Sequence, residues 1–198
     1  MSSEISSQII EKIIAKELED HIETSKLLYE LIPDINIFTQ KILFALRNKN
    51  KIMICGNGGS AADSQHFSSE LIGRFEKDRN PLGAISLATD ISSITSISND
   101  LNFDEIFSRQ IDGIGNEGDI LIAISTSGNS KNILKAINTA KNKKILCLGL
   151  LGKTGGEALE NLDFSILIKS QRTCRIQEMH GIIIHTICGL IEKFITNL

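Results

Sequence analysis

Two places in this sequence carry side chains that could do acid–base or metal chemistry. His66 and Glu70 are four residues apart, and Gln177 and His185 lie in the last apolar stretch. Helical residues four apart share a face, so His66 and Glu70 would point the same way. A glutamate and a histidine brought together could move protons between carbon and oxygen. Two histidines, a glutamate and a glutamine are also donors that a zinc-like divalent ion accepts. The plainer alternatives are a solvated pair at 66 and 70 and a hydrogen-bonded core histidine at 185. Ile182, Ile183, Ile184 and Ile187 predict an apolar setting for His185. Spacing alone does not show that the two helices meet.

Two loops offer somewhere for a substrate to be held. The apolar run Ile52 to Cys55 predicts a buried strand, and it stops at Gly56-Asn57-Gly58-Gly59. Ser60 is placed to cap a helix that begins at Ala61 and carries His66 and Glu70. A strand, a glycine turn and a helix N-terminus aim free N–H groups and a positive dipole end at an anion. A second strand ends in Ser125-Thr126-Ser127-Gly128-Asn129-Ser130, four hydroxyls and a glycine before another helix. Either loop alone could be a turn with a cap. Two in one sheet point to a phosphate site, and hydroxyls without lysine suit a sugar phosphate monoester better than a nucleoside triphosphate.

The elements that must position these groups follow from hydrophobic periodicity. Residues 3–31 show helical spacing, and Pro33-Asp34 predicts the break and cap before a second helix through Leu46. From residue 50 the pattern alternates. Strands are predicted at 52–55, 83–87, 119–124, 145–148 and 164–168. Helices are predicted at 61–73, from Asp90 through Ile97, and at 103–114, 131–142, 157–162 and 175–195. Short apolar strands alternating with helices mean an α/β fold, a parallel sheet covered on both faces. One domain is expected over 1–198, with a helical arm at 1–49 and an α/β core at 50–198. The arm's apolar stripe predicts helix exchange with another subunit, or packing across the domain's own core.

Composition narrows the function classes. The 198 residues are 41% hydrophobic and 23% charged with a net charge of −3, which argues against a broad nucleic-acid footprint. The N-terminus has no basic segment followed by an apolar one, and no run approaches a bilayer-spanning length, so neither secretion nor membrane insertion is expected. Cys55, Cys147, Cys174 and Cys188 are scattered, which fits free thiols in a reducing cytoplasm. Gly56-x-Gly58-x-x-Ala61 imitates a dinucleotide fingerprint, but no acidic residue closes the next strand at the required distance. Gly152-Lys153-Thr154 imitates a nucleotide-binding P-loop, but Cys147 stands where its first glycine belongs.

Taken in order, Cys55-Gly-Asn-Gly-Gly-Ser-Ala-Ala-Asp-x-Gln-His-Phe67, Glu70, Gly73-Arg74, Asn99-Asp100, Ile124-Ser-Thr-Ser-Gly-Asn-Ser130 and Arg175-Ile-Gln-Glu-Met-His180 resemble the phosphoheptose isomerases of the sugar isomerase (SIS) superfamily. The resemblance spans nearly the whole chain. It implies a five-stranded parallel sheet flanked by helices. It also implies conversion of sedoheptulose 7-phosphate to D-glycero-D-manno-heptose 7-phosphate through an enediol, for lipopolysaccharide or capsule. By resemblance, Glu70 is the base and His185 the acid, and one zinc per subunit is bound by His66, Glu70, Gln177 and His185. Substrate-binding positions fall on Asn57, Gly58, Gly59, Ser60, Glu70, Asn99, Asp100, Ser125, Thr126, Ser127, Ser130 and Gln177. The resemblance further implies a homotetramer with sites at subunit interfaces. One departure is Cys174, where many relatives carry aspartate.

Two rival readings fit the same residues. Non-catalytic SIS proteins that associate with the bacterial replication initiator keep the phosphate loops but tend to lack the acid–base pair, so Glu70 with His185 favours an enzyme. The second is an isomerase of another sugar phosphate, or a sugar-phosphate-sensing domain, which would carry an attached DNA-binding segment.

Overall fold

The computed structural model describes residues 7–195. Five strands, β1 (Ile52–Gly56), β2 (Ala84–Ser86), β3 (Ile120–Ser125), β4 (Leu146–Gly152) and β5 (Phe164–Ile168), form one sheet in the order β2-β1-β3-β4-β5. Every pairing is parallel. Among the described residues eight α-helices surround it: α1 (Ser7–Lys26), α2 (Ile32–Arg47), α3 (Gly59–Ile72), α4 (Ile91–Asp100), α5 (Ser108–Ile114), α6 (Lys131–Asn142), α7 (Gly156–Asn161) and α8 (Thr173–Phe194). This is the α/β sheet that the alternating pattern predicts.

Side chains alternate across the pleat and divide the core in two. Ile52, Ile54, Ile120, Ile122 and Ile124 face a layer built from Phe38 and Ile42 of α2, Phe67 and Leu71 of α3, and Ile176, Met179, Ile183 and Ile187 of α8. Met53, Cys55, Leu121 and Ala123 face the opposite layer, with Ile111 of α5 and Ile133, Ala136, Ile137 and Ala140 of α6. Consequently α3 and α8, which carry the predicted chemistry, lie in the same layer.

Several boundaries differ from those the sequence predicts. The first four residues of the expected 3–31 helix lie outside the described residues; α1 ends at Lys26, and a 3-10 turn at Leu27–Tyr29 follows. Pro33 and Asp34 do not precede α2 but sit in its first turn, after the cap at Leu31. A proline there forfeits only an N–H that has no intrahelical acceptor, and the aspartate complements the dipole. Strand β4 runs on to Gly152 because its glycines admit close neighbours: a Cβ at Gly149 would collide with Leu162. The 103–114 helix divides into a 3-10 turn at Phe103–Glu105 and α5. Asp90 caps α4 as predicted, accepting from the Ser93 N–H at 3.0 Å, but the helix continues through Asn99 and Asp100.

The apolar stripe of α1 stays largely uncovered within one chain. Ile9, Ile13, Leu18 and Ile22 are each more than half exposed, and Thr24 is the one buried residue of that helix. No helix among the described residues is long and apolar enough to cross a membrane.

Candidate active site

The sheet order places the two loops side by side. The chain leaves β1 for β2 on one side and returns to β3 on the other, so the crevice at the carboxyl ends of β1 and β3 is the switch point where open α/β sheets bind ligands. Cys55 pairs with Ala123 and Gly56 with Ile124, so both loops start level with each other. At the first, Gly58 adopts φ +56° and ψ −123°, a conformation that suits glycine, and this residue caps α3. The cap is therefore Gly58 and not Ser60, whose side chain is buried inside the first turn.

In the second loop the hydroxyl oxygens are held by backbone. Ser125 Oγ accepts the Gly128 N–H at 3.0 Å, and Ser127 Oγ accepts that of Asn129 at 3.3 Å. Each hydroxyl proton is then free to turn toward an anion. Ser130 heads α6 without a side-chain capping bond. From beneath, Asn129 Oδ1 accepts the Glu157 N–H and Gly128 O accepts that of Ala158. The loops are joined by a residue that the sequence did not single out. Asn132, buried in the first turn of α6, exchanges two amide hydrogen bonds with Asn57, both 2.8 Å.

Helices α3 and α8 pack together and bring their candidate site residues near one another. Near the loops, the Gln177 amide lies so close to Gly59 that a Cβ there would collide with it. Farther along, His66 Nε2 stands 3.1 Å from Glu70 Oε1 and 3.3 Å from His185 Nε2, and the two imidazoles meet edge to face at 4.8 Å. When each ring carries its proton on the other nitrogen, two lone pairs and a carboxylate oxygen face one another, the donor set of a cation site. No Glu70–His185 hydrogen bond or ion pair closes the trio, and among the described residues no three His, Cys, Asp or Glu side chains form a ready-made metal centre.

His185 is exposed, contrary to the apolar setting its neighbours suggest. The helical period turns Ile183, Ile184 and Ile187 inward and His185 outward, against Phe75 at 5.7 Å between ring centroids. The buried histidine is His180: its Nε2–H donates to Leu151 O at 3.1 Å, and Nδ1 has no partner. Burial holds its pKa down to about 4, with the Leu151 carbonyl opposing the shift in part. Asp63, one turn before His66, keeps a buried oxygen without a hydrogen-bond partner. Burial raises its pKa, against the pull of His66.

Asn99 donates to Asp100 at 2.8 Å at the exposed end of α4, and among the described residues no hydrogen bond ties either to the two loops. Cys174 is exposed in the first turn of α8.

Comparison with known proteins agrees with this geometry. The SIS domain family matches residues 15–152. A phosphoheptose isomerase from Nitratiruptor sp. is 47% identical over 182 residues, 91% of this chain and 97% of that protein. Among solved structures, the phosphoheptose isomerase GmhA of Neisseria gonorrhoeae superposes with a TM-score of 0.88 at 36% identity, covering 93% of this chain and 99% of its own. That of Francisella tularensis gives 0.90 at 34% identity, over 96% and 100%. With the order of the motifs, the sheet and the convergent His66, Glu70 and His185 already in place, the chain belongs to the phosphoheptose isomerases of the SIS domain family.

Proposed function

We propose that this enzyme converts sedoheptulose 7-phosphate to D-glycero-D-manno-heptose 7-phosphate through an enediol, on the route to activated heptose for lipopolysaccharide or capsule. The observation that carries the reading is the convergence of Glu70, His66 and His185 on helices whose near ends meet two anion-binding loops. The phosphate is bound by the hydroxyls of Ser125, Thr126, Ser127 and Ser130 with Asn57, Gly58, Gly59 and Ser60. The sugar runs along α3, where His66 and Glu70 lie roughly 10–16 Å from the helix start. Gln177, beside Gly59, meets the middle of the chain, and Asn99 and Asp100 are assigned further sugar contacts by the family resemblance.

Glu70 engages His66 through Oε1, which leaves Oε2 to take the C1 proton and return it at C2. His185 passes the accompanying proton between the two oxygens. His66, Glu70 and His185, with Gln177 as the fourth donor assigned by the family resemblance, would hold one zinc; His185 bound through Nε2 would keep only Nδ1 for proton transfer, as Glu70 keeps Oε2. Donors about 2.0–2.1 Å from a tetrahedral zinc stand roughly 3.3 Å apart, which the separations of 3.1 and 3.3 Å approach. Bound there, the ion supplies Lewis-acid polarisation of the carbonyl oxygen.

A homotetramer completes the reading. The uncovered stripe of α1 needs a partner, and the helical arm supplies the contact while the α/β part of the chain forms the catalytic core. His66 and His185 are exposed in one chain, so a neighbouring subunit would close the site. The four free cysteines suit the cytoplasm. The test is Glu70→Gln. It should lower turnover by roughly 10²–10⁴-fold while heptose phosphate still raises the melting temperature; turnover near that of the parent protein would contradict the assignment.

A further inference from the structure

The segment that follows α3 is tied to α8 by a buried charge cluster that the proposed reaction does not use. Glu192 and Arg79 have side chains only 5% and 4% exposed, and their carboxylate and guanidinium lie 3.4 Å apart. Glu192 accepts the backbone N–H groups of Phe75, Glu76 and Lys77 at 3.1, 2.9 and 2.8 Å. Burial pushes its carboxyl up, but these donors and Arg79 more than reverse that, leaving it below the ordinary range. Arg79 in turn donates to the carbonyls of Glu70 and Leu71 at 2.5 and 2.8 Å. These belong to the last turn of α3, where carbonyls lack intrahelical donors and a cation is favoured.

A connected path therefore runs from the backbone of Glu70 through Arg79 to Glu192 on α8. On that helix His185, Gly189 and Glu192 are four and three residues apart and share a face. The Phe75 ring lies against His185 at 5.7 Å. A Cβ on Gly189 would touch the same ring at 3.4 Å. Desolvating two charges to close a loop is expensive where apolar residues would serve. What the charges add is a fixed geometry between two helices.

We propose that Glu192 and Arg79 are positioning residues: they lock the α3 terminus to α8, set Phe75 against His185, and so hold His185 and Glu70 in register. The proposal rests on the reading that these two residues act on substrate, and its test includes a measurement independent of turnover. That measurement is the ¹⁵N and ring-proton spectrum of the histidines, with the His185 signals assigned by their loss in His185→Gln.

Glu192→Gln should lower kcat by roughly 10- to 100-fold while KM stays within about twofold, because the phosphate loops lie at the other end of α3. Phe75→Leu should shift the His185 ring resonances and lower kcat, and Phe75→Tyr should restore both. Should Glu192→Gln fail to fold, the Phe75 pair decides alone. Unmoved His185 resonances in folded variants would overturn the brace, as would a kcat held within about twofold. If the parent protein shows no turnover, shifted resonances still support the brace and the failure belongs to the proposed reaction.

Discussion

The buried histidine of α8 makes the stability of this protein pH-dependent, with a sign that follows from the structure. His180 is wholly inaccessible and gives one N–H to Leu151 O. Protonation would place a second N–H at Nδ1, which has no acceptor. Its folded pKa of about 4 lies below the ordinary 6.5, so the native state prefers the neutral ring. The stabilisation is complete above pH 6.5 and drains away as the pH falls toward 4. At 1.36 kcal/mol per pKa unit, the unfolded chain gains about 2 kcal/mol over the native state between pH 8 and pH 5.

The perturbation is His180→Gln, which keeps an N–H donor for Leu151 and cannot titrate. Urea unfolding of parent and variant at pH 8, 7, 6 and 5, at one protein concentration, separates this group from the other acids. The parent curve should fall about 2 kcal/mol farther than the variant curve over that range. Curves that stay parallel within about 0.5 kcal/mol would refute the reasoning, because His180 would then titrate alike in both states.

Other consequences are simpler. Ser127→Ala should raise KM by roughly 5- to 100-fold, the loss of one hydrogen bond to a charged phosphate, with kcat little changed; an unchanged KM in steady-state kinetics would place the phosphate elsewhere. Asn132→Ala removes both bonds to Asn57 and should cost about 1–2 kcal/mol of stability and raise KM, measured by urea unfolding and kinetics. Burial drives the Cys55 thiol far up and those of Cys147 and Cys188 to about 12, while Cys174 is exposed. A disulfide reagent at pH 8 should therefore titrate one thiol per native chain and four after denaturation.

Legibility in the sequence followed the range of the interaction. Strand β1, its glycine turn and the hydroxyl loop after β3 are local patterns, and both loops stand where their spacing placed them. The cap of α3 is not legible in the sequence: Ser60 looks like a cap, whereas the deciding feature is the positive φ of Gly58, a backbone property. The end of β4 is hidden for a similar reason: Gly149 and Gly152 resemble breakers until a close neighbour accounts for the glycine. Asn132 and Glu192 were invisible for a different reason. Their partners lie 75 and more than 100 residues away, and a lone polar residue on a helix carries no mark of a distant contact. His180 and His185 show the same limit: five residues apart on one isoleucine-rich helix, they have opposite environments, decided by helical phase.

The most direct test of the central claim is an NMR time course of the purified protein with sedoheptulose 7-phosphate in D₂O, run with zinc and with a chelator. The proposed reaction predicts growth of aldose signals, deuterium at C2 of the product and a rate that the chelator lowers. Absence of any aldose under either condition, with the phosphosugar still raising the melting temperature, would contradict the isomerase and leave a phosphosugar-binding protein in its place.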